Sequence, residues 1–255
     1  MTALFSPGLA RRRVGVGLTL VTVVAWAYLI LLSVRMGDMH SPLAMPMTST
    51  WTRQDVVLMG TMWAVMMAGM MLPSAAPMIS AYAATAGSNA TGLRGSTPSF
   101  VAGYLAVWAG FGAVATAAQW VLHDLALVDV MGSSTSDRLG GALLIGAGAY
   151  QFTGLKNTCL RQCRSPLAFL LNEWRDGRRG AIVMGVRHGA FCVGCCWALM
   201  ALVFVLGVVN LWWIALITAV VLVEKVIPVH VFTRLLGVGL LAWGAGLATG
   251  VGVLA

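Results

Sequence analysis

Apolar residues along this chain gather in long runs instead of the alternation of strands or the narrow stripe of a soluble amphipathic helix. A helix needs about 20 mainly apolar residues to cross roughly 30 Å of hydrocarbon. Seven segments fit: about 14–34, 56–80, 99–122, 139–156, 188–208, 211–228 and 232–254. The fourth is short and glycine-rich, and only Val209 and Asn210 part the fifth from the sixth, so a six-span version stays open. The expected fold is all-α, a single polytopic transmembrane helix bundle over residues 1–255.

Composition strengthens that reading. Of 255 residues 59% are hydrophobic and 9% charged, against roughly 25% charged in soluble domains, and the mean hydropathy is +0.87. The net charge of +8 brings nucleic acid to mind, yet no basic stripe with interleaved aromatics occurs in a polar stretch. Membrane orientation is the better use of that charge, because Lys and Arg accumulate on the cytoplasmic side. With the N-terminus inside, Arg11, Arg12, Arg13, Arg94, Lys156, Arg161, Arg164, Arg175, Arg178, Arg179, Arg187, Lys225 and Arg234 fall inside, thirteen of the 16 basic residues. Arg35, Arg53 and Arg138 fall outside, with Asp38, Asp55, Asp124, Asp129 and Asp137. This predicts seven spans with the C-terminus outside.

A cleaved signal peptide is the alternative for the first run, since Arg11 to Arg13 precede it. The run is long for a signal and ends in Leu32-Ser33-Val34-Arg35 without a small-x-small site, which favours a retained anchor. No internal repeat suggests a transporter built from inverted halves. In the last span Gly246 and Gly250 stand four apart, a spacing that allows close helix packing.

Candidate chemistry lies in two residue types. Met occurs 15 times, and all 5 Cys fall between positions 159 and 196. At about 100° per residue, Met59, Met62, Met66 and Met70 of the second span share an arc of roughly 80°. Met67 and Met71 lie beside that stripe, and Met78 continues their line if the kink at Pro73 is small. Thioether sulfur is soft and uncharged, so it suits Cu(I) where a carboxylate is costly to bury. The alternative is packing, because Met fills irregular gaps well. The preceding outer loop, Met36-Gly37-Asp38-Met39-His40-Ser41-Pro42-Leu43-Ala44-Met45-Pro46-Met47, has no core to fill. Its Met39, His40, Met45 and Met47 are candidate copper-catching ligands, unless the loop simply lies on the bilayer.

The cysteines form two sets, Cys159 with Cys163 and Cys192 with Cys195 and Cys196. Both are expected at or near the inner face, where Cys159 and Cys163 share one side if their segment is helical. Such spacings let sulfurs share a soft ion, and Arg161, Arg164 and Arg187 are expected to favour thiolates. Structural disulfides do not suit a reducing compartment. Buried apolar packing and a redox dithiol remain alternatives. Zinc is less favoured than copper, because the methionines have no role with zinc.

Glu224 and Lys225 are costly in a span unless partnered; being adjacent, they point apart, and Glu224 is expected to meet a cytoplasmic Arg. His123 and Asp124 end the third span as interfacial anchors or as company for His40. His188 and His230 read as ordinary interfacial histidines. No Ser-His-Asp arrangement, phosphate-cradling glycine loop or carboxylate pair marks a catalytic centre, so no enzyme activity is assigned.

Several stretches taken together resemble a bacterial family of predicted metal-binding integral membrane proteins. They are Trp63 with Met66-Met67 and Met70-Met71 before Pro73; Gly103-Tyr104 with Trp108; Tyr150-Gln151 with Lys156, Cys159, Cys163-Arg164 and Pro166; Gly194-Cys195-Cys196-Trp197 with Met200; and Glu224-Lys225. The resemblance covers about 55–230 and implies metal binding. The first span and its Met/His loop lie outside it. The leading expectation is a membrane protein that collects Cu(I) at the outer loop, relays it along the second span and holds or releases it at the cysteines. Its partners are the lipid bilayer, the soft metal ion, and a metallochaperone or membrane metalloenzyme. The other readings are a membrane thiol oxidoreductase using Cys192 and Cys195 against Cys159 and Cys163, and a structural or assembly subunit of a metalloenzyme.

Overall fold

The computed structural model describes residues 7–35, 51–88, 96–128, 133–227 and 230–250. Among these the chain is helical: α1 (Pro7–Arg35), α2 (Arg53–Ser88), α3 (Ser96–Asp124), α4 (Asp137–Tyr150), α5 (Gly154–Arg164), α6 (Pro166–Glu173), α7 (Gly177–Ala201), α8 (Val203–Leu206), α9 (Leu211–Val226) and α10 (His230–Ala248). The one extended pairing among them is an isolated bridge between Val128 and Ser134. Among the described residues five segments are long and apolar enough to cross a membrane: Val14–Arg35, Arg53–Ala86, Ser96–Asp124, Gly177–Leu206 and Val231–Ala248. Large apolar side chains such as Leu20, Val24, Leu31 and Val34 stand exposed on α1, as a hydrocarbon-facing surface requires.

Several boundaries differ from those read in the sequence. The expected fourth span, 139–156, is helical only to Tyr150, and the chain breaks before Thr153, whose side chain accepts the Lys156 N–H and opens α5. Residues 157–187 contain two short helices where a cytoplasmic segment was expected. α6 begins at Pro166, in the first-turn position where the missing N–H costs nothing. The fifth span begins at Gly177, not 188. Arg178, Arg179 and Arg187 made that stretch look like loop, yet Arg187 pairs with Glu173 and helix continues through them. The chain then reverses at Gly207, where φ is +91 and a side chain is strained. At 14 and 16 residues, α4 and α9 are shorter than the apolar runs that suggested them. Gly250, expected to be a packing residue, faces open space with φ +72 just past the end of α10.

The main interfaces are α3 with α7, α4 with α10, α1 with α2 and α2 with α3. Small residues set the closest of them. A Cβ on Gly103 of α3 would collide with the Ile182 carbonyl of α7, and one on Gly185 of α7 with the Phe100 carbonyl of α3. The two backbones touch where glycine removes the side chain between them. α4 and α10 meet the same way, through Gly141 against Gly244 and Gly148 against the Gly237 backbone.

α2 runs through Pro73 and Pro77 without ending. Pro73 has no N–H for the Gly69 carbonyl four residues back. Trp26 Nε1 of α1 donates to that carbonyl at 3.3 Å, and Gly69 lets the Ala25 methyl approach to within contact range. A neighbouring helix thus re-satisfies the backbone group that proline leaves open, as an apolar surrounding demands.

The α3–α7 contact yields a direct test. Gly103→Val is expected to lower stability by about 1–3 kcal/mol or more through overpacking, whereas Gly110→Ala, at a position with open space, leaves it unchanged. Thermal unfolding in detergent micelles, followed by size-exclusion chromatography, distinguishes them; equal melting of the two variants contradicts the close approach.

Candidate metal centre

The methionines of α2 are all drawn inward. Met59, Met62, Met66 and Met70, together with Met67, Met71 and Met78, are buried. Their sulfur-bearing face spans about half the helix circumference at 100° per residue, wider than the stripe of four read from the sequence, because α1, α3 and α9 all pack on α2. Beside Met62, Trp63 donates through Nε1 to buried Gln119 of α3 at 2.8 Å. That bond fixes how the helix is turned. Met39, His40, Met45 and Met47 lie outside the described residues.

The cysteines of α7 face the same interior. Cys192, Cys195 and Cys196 are buried, and Cys195 and Cys196 donate their S–H to the Cys192 carbonyl at 3.1 and 2.9 Å. With α7 starting at Gly177, Cys192 lies ~22 Å along the helix. These thiols therefore sit near the middle of the apolar segment Gly177–Leu206.

Two sulfur pairs join helices that are distant in sequence. Cys163 Sγ of α5 lies 3.9 Å from Cys195 Sγ, and Cys196 Sγ lies 4.0 Å from Met71 Sδ of α2. Sulfurs at such separations can each lie about 2.3 Å from a shared ion, the usual metal–thiolate distance. Cys159 is placed differently. Its Sγ packs on Gly194, where a Cβ would come within 2.7 Å of it, so glycine before Cys195-Cys196 is what lets α5 close on α7. Among the described residues, no three His, Cys, Asp or Glu side chains are arranged to hold a metal ion; the Cys196–Met71 pair mixes thiol with thioether. Hydrogen bonding to Cys192 and Cys195, with burial behind it, holds the Cys163 thiol well above its ordinary pKa. Burial also raises that of Cys159.

The arginines expected to favour thiolates are engaged elsewhere. Arg161 is exposed and Arg187 pairs with Glu173. Arg164 donates to the Glu224 carbonyl at 2.7 Å and to the Ile227 carbonyl at 3.2 Å, capping the end of α9 where carbonyls lack partners. The cation at the sulfurs is Lys225: its Nζ donates to Cys192 Sγ and to Ser74 Oγ, each at 2.9 Å. The Tyr104 hydroxyl donates to the Met71 carbonyl at 3.2 Å and lies 3.1 Å from Cys192 Sγ. Glu224 points the other way and pairs with buried Lys156 at 2.8 Å, not with an arginine side chain. Met71, Ser74, Tyr104 and Lys225 were absent from the candidate ligands. The unpaired cost of the Glu224-Lys225 dipeptide was the signal for Lys225; Ser74 carried none.

His188 is buried among Phe100, Tyr104 and Phe169, and its Nδ1 has no partner among the described residues. His123 contacts Trp51 near the end of α3.

Fold and site together define an all-α protein, with helices apolar enough to span a membrane, whose interior sulfurs converge from α2, α5 and α7. Its sequence matches the profile of PpoB2, described as copper chaperone, over residues 60–247. The chain belongs to that copper chaperone family, which gives it a copper-related role and agrees with the metal binding that the sequence resemblance implies. No curated protein and no solved structure matches it.

The buried Lys156–Glu224 pair makes a prediction of its own. Removing one partner leaves the other charge uncompensated, so Lys156→Met or Glu224→Met alone is expected to cost about 3–5 kcal/mol, and the double replacement to recover most of that loss. A double-mutant cycle by denaturant unfolding in micelles reads the coupling; additive losses contradict it.

Proposed function

We propose that this protein is a seven-span bacterial inner-membrane protein, N-terminus inside, that binds Cu(I) as cargo and passes it between an outer methionine-rich region and an inner cysteine cluster. The observation that carries this reading is the 4.0 Å approach of Cys196 Sγ to Met71 Sδ, where the methionine face of α2 meets the thiols of α7. In this reading Met39, His40, Met45 and Met47 collect the ion. Met59, Met62, Met66 and Met70 form the path, and Cys159, Cys163, Cys192, Cys195 and Cys196 form the receiving group. Soft sulfur suits Cu(I) and discriminates against hard cations. Neutral thioethers also keep the path free of buried charge. The copper chaperone family supports the metal; a metallochaperone or membrane metalloenzyme is the partner such a role calls for. The seven-span topology rests on the basic-residue asymmetry, and it takes α4 and α9, ~21 and ~24 Å long at 1.5 Å per residue, as short spans.

A second reading has one observation in its favour. Cys163 and Cys195 lie 3.9 Å apart, close enough for a dithiol that cycles to a disulfide with a quinone or thiol partner. Alkylation mapping reads it. If Cys163 and Cys195 change state together in the presence of quinone, thiol chemistry is favoured over metal holding.

The copper reading is tested by Cu(I) titration of protein purified in detergent under reducing conditions, against a competing chromophoric chelator. Wild type is expected to retain Cu(I), and Cys196→Ser and Met71→Leu each to weaken it by about tenfold or more, equivalent to about 1.4 kcal/mol. Wild-type affinity in both variants, with fold intact, overturns the reading.

A further inference from the structure

Lys225 brings a positive charge to the thiol cluster and is held there. Its side chain is buried, and Nζ is shared between Cys192 Sγ of α7 and Ser74 Oγ of α2. Ser74 Oγ in turn donates to the carbonyl of Met71 at 2.8 Å, the residue whose sulfur approaches Cys196. No carboxylate among the described residues forms a salt bridge with Lys225; Glu224, its neighbour in sequence, pairs with Lys156 instead. The group facing the ammonium is sulfur.

We infer that Lys225 is the residue that makes this cluster selective for a monovalent soft ion over divalent ions, a role that rests on the copper reading above. Buried charges are tolerated when they sum close to zero. With Cys192 as a thiolate, 2.9 Å from Nζ, the Lys225 ammonium is balanced. A Cu(I) ion brought in with one further thiolate, from Cys196, and the neutral Met71 thioether keeps the total at zero. Zn(II) or Cd(II) at the same sulfurs adds a second positive charge beside an ammonium tethered by Ser74. Repulsion from that fixed charge doubles with the charge of the ion, so the ammonium penalises a dication more than a monocation. Sulfur softness alone does not achieve this, since thiolates bind zinc well.

The experiment compares Cu(I) and Zn(II) affinities, each by chelator competition, in wild type, Lys225→Leu and Lys225→Arg. Lys225→Leu removes the charge and adds no sulfur ligand. It is expected to lower the Cu(I)-over-Zn(II) preference by at least about tenfold, while Lys225→Arg retains the wild-type preference. Should Lys225→Leu fail to fold, Ser74→Ala loosens the tether and is expected to shift the preference in the same direction by a smaller factor. An unchanged ratio in folded Lys225→Leu, or in Ser74→Ala where it replaces it, overturns the assignment. A wild type that binds no Cu(I) fails the copper reading instead. Cd(II) uptake then still judges the fixed charge, since Lys225→Leu must bind Cd(II) more tightly than wild type for the assignment to stand.

Discussion

Two adjacent charges at the end of α9 organise the interior. Because neighbouring residues on a helix point apart, Glu224 and Lys225 reach opposite ways. Glu224 binds Lys156 and so draws α5, with Cys159 and Cys163, onto the bundle. Lys225 reaches Ser74 and Cys192, tying α2 to α7. Arg164 completes the arrangement by capping the carbonyls at the end of α9. An uncompensated charge in such an interior costs several kcal/mol, so these contacts confine the helices to arrangements that keep both charges partnered. The sulfur-bearing segments of α2, α5 and α7 come together as a consequence.

Close backbone approach is the second constraint. Glycines at Gly103 and Gly185 let α3 and α7 touch, which sets Tyr104 of α3 against Cys192 of α7. Gly194 does the same for α5, since any side chain there meets the Cys159 sulfur. Between helices bathed in hydrocarbon there is little hydrophobic force, and association depends on packing and interhelical hydrogen bonds. The Trp26–Gly69 and Trp63–Gln119 bonds are of that kind. They tie α1 and α3 to the methionine-bearing stretch of α2. The rotation of α2, and therefore the direction of its sulfurs, is thus fixed by polar contacts on either side of it.

Much of the helical architecture was legible from apolar run length alone, because a 29-residue segment such as Ser96–Asp124 admits few other structures. The break at Gln151 to Thr153 was not. Glycine-rich apolar sequence runs smoothly into polar sequence there, and only the Thr153 cap marks the new helix. α5 was hidden by its Lys and Arg, which read as loop charge until Lys156 and Arg164 proved to be committed to α9. The cysteine and methionine sets were visible as composition and spacing, and the helical Cys159–Cys163 segment followed. Which sulfurs meet was not visible. Met71 falls outside an arc drawn through four methionines, yet burial of α2 on three sides brings it to Cys196. Angular reasoning on one helix describes a face; it does not say how many neighbours that face has.

Interior sulfur and interior charge are therefore coupled. The methionine face of α2 adds no charge, so it asks nothing of its neighbours beyond room, and α1, α3 and α9 supply mainly apolar side chains and hydrogen bonds to it. The thiols of α7 differ, because a thiol can become a thiolate and an interior thiolate needs a cation. Lys225 supplies one from α9, and the arginines, whose guanidinium forks suit carbonyls and carboxylates, are spent on the α9 carbonyls and on Glu173. An ammonium is a point donor on a flexible stem that can serve a sulfur and a hydroxyl at once. Lysine is the basic residue whose shape matches the gap between Ser74 and Cys192.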